Sequence, residues 1–328
     1  MRPRVPARWS LGRPGSTRSL VIGSVLGVMA ILGGAPGAGG DARPVAAAQA
    51  QPGTSPALPQ EDDLTLAGAA GSTLIGLTVR PAQPGPNRVL VYVLPLAGPG
   101  VAADVPVSLT VGGQAVPVDF CSRSCRAADV ALFGGEHLDV VAGGPEGGTA
   151  GFDLPALPAA DGTSLLQLAQ ERMHRLRSYR IDEVLGPATS PLQSTYAFQA
   201  PDRMRFDLAT GSQTIFVGTT RYTRRDPSSA WRSEQIGVSL TVPSFTWDTG
   251  PATDAPVAAH VVASAEVDGV PAQILAFFQG TPTTPLWFRL WVDAEGLVRR
   301  AEMHAQGHFM DDHFTDFDAP LAIDPPTT

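Results

Sequence analysis

The sequence predicts a mainly β protein in two modules: a small β-sandwich, then a curled antiparallel half-barrel wrapped around one long helix. Three observations lead there. Gly and Pro are abundant, 35 and 31 of 328 residues, which favours short strands and tight turns. Runs of β-type residues are separated by Gly-Gly, Asp-Gly and Glu-Gly pairs, the chemistry of hairpin turns. Only 164–177 carries a convincing helical period. With 43% hydrophobic and 16% charged residues, the chain has material for a core and is not a largely disordered polymer. Its length suits about two domains.

The first 50 residues read as a secretory signal peptide, or a membrane anchor if uncleaved. Arg2, Arg4, Arg8, Arg13 and Arg18 precede an apolar run at 20–32, and Ala48-Gln49-Ala50 resembles a cleavage site. That run falls short of the roughly 20 residues needed to span a bilayer. The mature protein is therefore expected outside the cytoplasm, secreted or in the cell envelope. Residues 51–63 are polar and Pro-rich, a flexible lead. All 23 basic residues are Arg, and the net charge of −8 argues against nucleic acid as a partner.

Residues 64–155 contain β-type runs at 74–79, 88–96, 105–111, 115–120, 129–133 and 137–141, with Gly112-Gly113 and Gly134-Gly135 at turns. Strands at this spacing describe a β-sandwich. The only two cysteines, Cys121 and Cys125, lie in a Cys-Ser-Arg-Ser-Cys run. An oxidising compartment favours a disulfide; a two-thiolate copper(I) site is the competing reading.

After a linker at 155–161, the spacing predicts a helix over 164–177. Leu165, Leu168, Ala169, Met173 and Leu176 form its apolar stripe, and Ser164 with Gln167 forms a capping box. From Tyr179 the period becomes two. Tyr196, Phe198, Met204, Phe206 and Leu208 alternate with polar residues around a Pro201-Asp202 turn. Further strands are expected at 214–217, 257–267, 270–279, 286–293 and 297–306, with turns at Asp268-Gly269 and Glu295-Gly296. The 239–256 stretch fits a short helix or a loop. One helix cannot cover so wide a flat sheet, so the sheet is expected to curl, leaving an apolar concavity.

Three segments carry a resemblance. Arg177-Ser-Tyr-Arg-Ile-Asp-Glu183, the run Tyr196-x-Phe-x-Ala-Pro-Asp-Arg-Met-Arg-Phe206 and Ile215-x-Val-Gly-x-x-Arg-Tyr222 resemble the opening strands of the LolA/LppX-like lipocarrier domain, over roughly 163–326. The resemblance implies a half-open barrel around a helix that holds acyl chains. The mature chain also resembles the soluble extracytoplasmic region of bacterial CopD-type copper-resistance proteins. The residues that suggest this are the Gly76–Asn87 segment, the Cys-Ser-Arg-Ser-Cys turn and the 307–317 segment. By that resemblance the first module would be immunoglobulin-like. The chain lacks the multi-helix membrane part of that family and the lipobox of its lipoprotein members.

The expected function is that of a non-catalytic extracytoplasmic binding protein holding a lipid or lipoprotein acyl chain. Expected cavity residues are Leu165, Leu168, Met173, Phe198, Met204, Phe206, Ile274, Phe278, Phe288 and Leu290. An ordinary closed core is the other reading of the same stripes. The alternative function is a copper-binding accessory protein in metal homeostasis or resistance, working with a membrane copper-transport protein. Its candidate ligands are His304, His308, Met310 and His313, since imidazole and thioether together suit copper. His308 and Met310, two apart, would share a strand face; His304 joins only if Gly307 bends the chain, and His313 only through a bulge. No other cofactor is expected. Asp311, Asp312 and His313 could supply an acid–base pair, but no nucleophile or oxyanion motif accompanies them, so no catalytic residue is assigned.

Overall fold

The computed structural model describes residues 58–95, 105–122, 124–145, 147–186, 191–247, 255–281, 284–306 and 308–327. The signal-like start and most of the Pro-rich lead lie outside them. The fold is mainly β, with antiparallel sheets, none of them closed into a barrel, and one helix among the described residues.

The first module contains β1 (Leu64–Ala70), β2 (Thr73–Arg80), β3 (Gly85–Pro95), β4 (Val107–Val111), β5 (Gln114–Val116), β6 (Asp119–Ser122), β7 (Cys125–Leu132), β8 (His137–Ala142) and β9 (Gly148–Asp153). They form a five-stranded sheet, β1-β2-β3-β7-β6, against a four-stranded one, β5-β4-β8-β9. Leu66, Ile75, Leu77 and Val91 of the larger sheet meet Leu109, Leu138, Val140 and Phe152 of the smaller. Cys121 and Cys125 form a disulfide beside the β6–β7 turn, with Cα atoms 5.3 Å apart, which removes the thiolate pair as a copper site.

The second module opens with β10 (Ala160–Asp161) and α1 (Thr163–His174). There follow β11 (Ser178–Leu185), β12 (Leu192–Gln199), β13 (Arg203–Leu208), β14 (Gln213–Val217), β15 (Thr220–Arg224) and β16 (Arg232–Gln235). The chain then returns as β17 (Val257–Val267), β18 (Val270–Thr281), β19 (Thr284–Asp293), β20 (Val298–Ala305) and β21 (His308–Thr315). All but the helix join one twelve-stranded sheet, ordered β10-β17-β18-β19-β20-β21-β11-β12-β13-β14-β15-β16. Two meanders are thus fused through β21 and β11 at its centre. Asp268 and Gly269, with φ of 52° and 78°, make the two-residue turn between β17 and β18 that the Asp-Gly pair predicts.

The helix differs from expectation at its start. No side chain of Ser164 or Gln167 caps it; Gly162 is the N-cap, and Asp161 accepts hydrogen bonds from the Thr163 amide (3.0 Å) and hydroxyl (2.7 Å). Its buried stripe is Leu166, Ala169, Met173 and, just beyond, Leu176. Leu168, expected at the centre of the stripe, is 46% exposed. Ala169, Met173 and Leu176 lie in the stripe as expected, Leu165 is partly buried against the same core, and Leu166 takes the buried place in the first turn.

The two modules are stacked through their sheets. The five-stranded sheet is buried on both faces: Leu74, Leu90, Tyr92 and Leu94 turn away from the sandwich core onto Phe278 and Trp287 of the long sheet's convex side. This explains why β2 reads as a continuous apolar run. Trp287 is the centre of the contact. Its Nε1 donates to Thr65 Oγ1 at 3.0 Å, and its ring lies against Tyr92 and Phe278. Residues 155–161 are pinned at both ends: Leu157 is buried in the sandwich cluster, and β10 pairs with β17.

Candidate functional site

Strand periodicity decides which side chains reach the concave face. β11 offers Tyr179, Ile181, Glu183 and Leu185; β12 offers Ser194, Tyr196 and Phe198; β13 offers Met204 and Phe206; β21 offers Met310, Asp312 and Phe314. The sheet is open, so the chain leaving β16 at one edge must cross to β17 near the other. It crosses over the concave side. No residue of 236–247 belongs to a strand or helix, yet Leu240, Val242, Phe245 and Trp247 are buried there. Phe245 stacks on Trp247 at 5.0 Å between ring centres, and Trp247 meets the edge of Phe314 at 5.5 Å. Val242 N–H donates to Pro201 O at 2.9 Å, and Gln170 Nε2 to Trp247 O at 3.3 Å.

Between this segment and the sheet lies a cleft of about 50 Å³. Ile181, Tyr196, Phe198, Met204, Asp312 and Phe314 line it from the sheet; Leu240, Thr241, Val242, Ser244, Phe245, Thr246 and Trp247 line it from the crossing segment. The walls are mostly apolar, and no Arg or His side chain is among them.

One carboxyl group, that of Asp312, lines it from the sheet, and Glu183 stands beside Asp312 on the neighbouring strand. Glu183 and Asp312 are direct cross-strand partners, 2% and 3% exposed. Glu183 Oε2 accepts hydrogen bonds from Ser194 Oγ (2.8 Å) and Tyr196 OH (3.0 Å). Glu183 Oε1 and Asp312 Oδ1 are buried and accept none. Burial pushes both carboxyls above their ordinary range, and for Asp312 the neighbouring Glu183 and Asp311 add to the shift.

This shift has a sign that can be tested. The folded chain keeps a proton that the unfolded chain releases, so the pair's contribution is fully present below the ordinary carboxyl range and is lost as pH rises. Half-buried His304, pushed down to about 4 chiefly by desolvation, and half-buried His308, also pushed down, act the other way below their ordinary range. The difference between wild type and Asp312→Asn isolates the acid. Wild type should lose more stability than the variant as pH rises above the ordinary carboxyl range, read by denaturant unfolding. Parallel pH profiles would contradict the assignment.

The expected cavity residues divide by face. Phe198 and Met204 line the cleft. Leu165, Met173, Phe206, Phe288 and Leu290 pack in the same core without reaching it. Ile274 and Phe278 are corrections: they lie on the convex side, against Trp291 and Trp287 respectively, and the odd-numbered neighbours Leu275 and Phe277 point into the core instead. Leu168 is a correction too, being exposed beside the β19–β20 turn at Gly296.

The four copper candidates are not brought together. Met310 points into the concave core, with His308 on the same side of β21, while His304 and His313 lie on the convex side. His304 is walled in near Trp287, with its ring on Phe309 at 5.0 Å; His313 is 3.8 Å from Asp311. Period-two alternation separates them; the bend expected at Gly307 lies outside the described residues. Among the described residues no group of three or more His, Cys, Asp or Glu is placed to hold a metal ion. The same alternation puts Asp312 on the concave side and leaves Asp311 and His313 together on the convex side.

Glu183 and the 240–247 contacts escaped the sequence reading. A signal for the acids was present: Tyr179-x-Ile-x-Glu183-x-Leu and Met310-x-Asp-x-Phe314 place both on the buried parity. The crossing segment carried Leu240, Val242, Phe245 and Trp247 within a Ser/Thr/Pro background, but nothing local says which face they cover.

No family model and no curated protein matches the chain. Among solved structures, it is similar to lipoprotein LppX of Mycobacterium tuberculosis at 9% identity, covering 49% of this chain and 97% of that one, with a TM-score of 0.34. LprF from Mycobacterium bovis matches at 12% identity over 52% of this chain and 100% of that one, with a TM-score of 0.37. A DUF1329 family protein from Desulfovibrio piger matches at 10% identity over 50% and 95%, with a TM-score of 0.26.

Proposed function

We propose that this is a non-catalytic extracytoplasmic binding protein that takes a hydrophobic ligand, a lipid or lipoprotein acyl chain, on the concave face of its half-barrel. The observation that carries this reading is the crossing segment. It fills the concavity with apolar side chains while standing outside every strand ladder. A ligand's methylenes can replace Leu240, Val242, Phe245 and Trp247 against the sheet without breaking a strand pairing. Displacement is required, because binding pockets usually run to about 300–1,000 Å³ and the cleft encloses about 50 Å³. The extracytoplasmic placement rests on the basic, apolar and small-residue order of the first 50 residues, and the disulfide agrees with it. No helix among the described residues is long and apolar enough to cross a membrane.

Titration with a fluorescent acyl probe tests the proposal. Binding should saturate at one probe per chain and be reversed by an unlabelled long-chain alcohol. Leu168→Trp, on the exposed face of α1, should bind as wild type and change stability by less than about 0.5 kcal/mol. A wild type that binds no probe would overturn the reading.

A further inference from the structure

Asp312 at the cleft and Glu183 beside it on the next strand each leave one buried carboxyl oxygen without a hydrogen-bond partner. Asp312 faces the cleft from a strand whose neighbouring concave side chains are Met310 and Phe314, and its Oδ1 accepts no hydrogen bond. Glu183 uses one oxygen on Ser194 and Tyr196 and leaves the other bare. Their nearest charged neighbours on β20 and β21 do not help: Arg300 is committed to Asp311 and Glu302 on the convex side. The chain has no Lys, and no Arg or His lines the cleft. A second buried polar group lies opposite: Trp247, 1% exposed, lines the cleft, and its Nε1 donates to nothing. Buried acceptors without donors are costly, and a protein retains them where something else supplies the donor.

We propose that the cleft selects amphiphiles whose head group donates hydrogen bonds and bears no negative charge, with Asp312 and Glu183 as the acceptors. This rests on the hydrophobic-ligand reading and deepens it. An amine or hydroxyl head would satisfy the Asp312 and Glu183 oxygens while its chain runs along Phe198, Met204 and Phe314. A free carboxylate or phosphate head would find no Arg or His side chain in the cleft to neutralise it, so burying its charge there is costly. The shared chemistry is an N–H or O–H donor; amine and alcohol arms tell its two sources apart.

The test uses full-length mature protein and three probes of equal chain length below their micelle concentrations: dodecylamine, dodecanol and dodecanoate, measured by calorimetry. Dodecylamine, dodecanol or both should bind at least about tenfold tighter than dodecanoate. Asp312→Asn should shrink that ratio to within about threefold while the dodecanoate affinity holds or rises. Glu183→Gln serves as the second variant if Asp312→Asn fails to fold by circular dichroism. A merely structural acid pair would leave the ratio unchanged in any variant that folds. Dodecanoate binding as tightly as the other two would overturn the head-group proposal and leave the hydrophobic-ligand reading standing. Binding of none of the three would overturn both.

Discussion

Trp287→Ala should cost about 3–5 kcal/mol, the usual range for truncating a buried Trp. The ring holds the long sheet to the sandwich between Tyr92 and Phe278, and its loss also strips Thr65 Oγ1 of a donor. Gly76→Ala attacks the same contact from the other side. A Cβ at Gly76 would run into Trp287 Cζ2, closer than atoms can pack. The ring is held by its hydrogen bond and two neighbouring rings, so it cannot step aside freely, and overpacking should cost about 1–3 kcal/mol. Because the two variants damage one contact, their double mutant should cost less than the sum of the singles. Chemical denaturation checks all three. A Gly76→Ala protein as stable as wild type would show that the sheets do not depend on this contact.

Trp247→Ala should cost a similar amount, about 3–5 kcal/mol, in ligand-free protein. Trp247 is one of the largest fully buried side chains and is stacked on Phe245 and edged by Phe314. A second effect should follow that ordinary core loss does not share. A ligand binding to the variant no longer has to expel the ring, so affinity for a long-chain alcohol should rise while stability falls. Phe206→Ala is the control, since Phe206 is as buried but points from the sheet and does not line the cleft. It should lose stability without gaining affinity. Calorimetric binding on both variants separates the two behaviours.

The class of fold was legible because turn chemistry and period two are local. Asp268-Gly269, the Pro201-Asp202 corner and the alternation from Tyr196 to Leu208 each fix a hairpin and its faces without help from distant residues. The helix and most of its buried side were legible: Ala169, Met173 and Leu176 are buried as their spacing predicts. Leu165, Leu166 and Leu168 compete in the first two turns, and local spacing does not choose Leu166 over Leu168. Ile274 and Phe278 were assigned to the wrong face because β18 is apolar on both sides. One side meets the concave core and the other the sandwich, a doubly buried setting in which alternation disappears. The copper cluster failed for the opposite reason: alternation on β20 and β21 holds strictly and sends His304 and His313 away from His308 and Met310. The acid pair was readable from parity within each strand. Its meaning depends on β11 pairing with β21 across more than a hundred residues, which no local pattern encodes.

Hydrogen exchange during ligand titration shows whether an apolar ligand takes the concave face by displacing the 236–247 crossing segment. Adding a long-chain alcohol should raise exchange at amides 240–247, Val242 N–H among them, and shift the fluorescence of Trp247 towards that of a wet indole. Amides of β11 and β12 should stay protected throughout, since their ladder is untouched. Saturating ligand with 240–247 as protected as before would contradict the account, because the chain would then be bound somewhere other than beneath that segment.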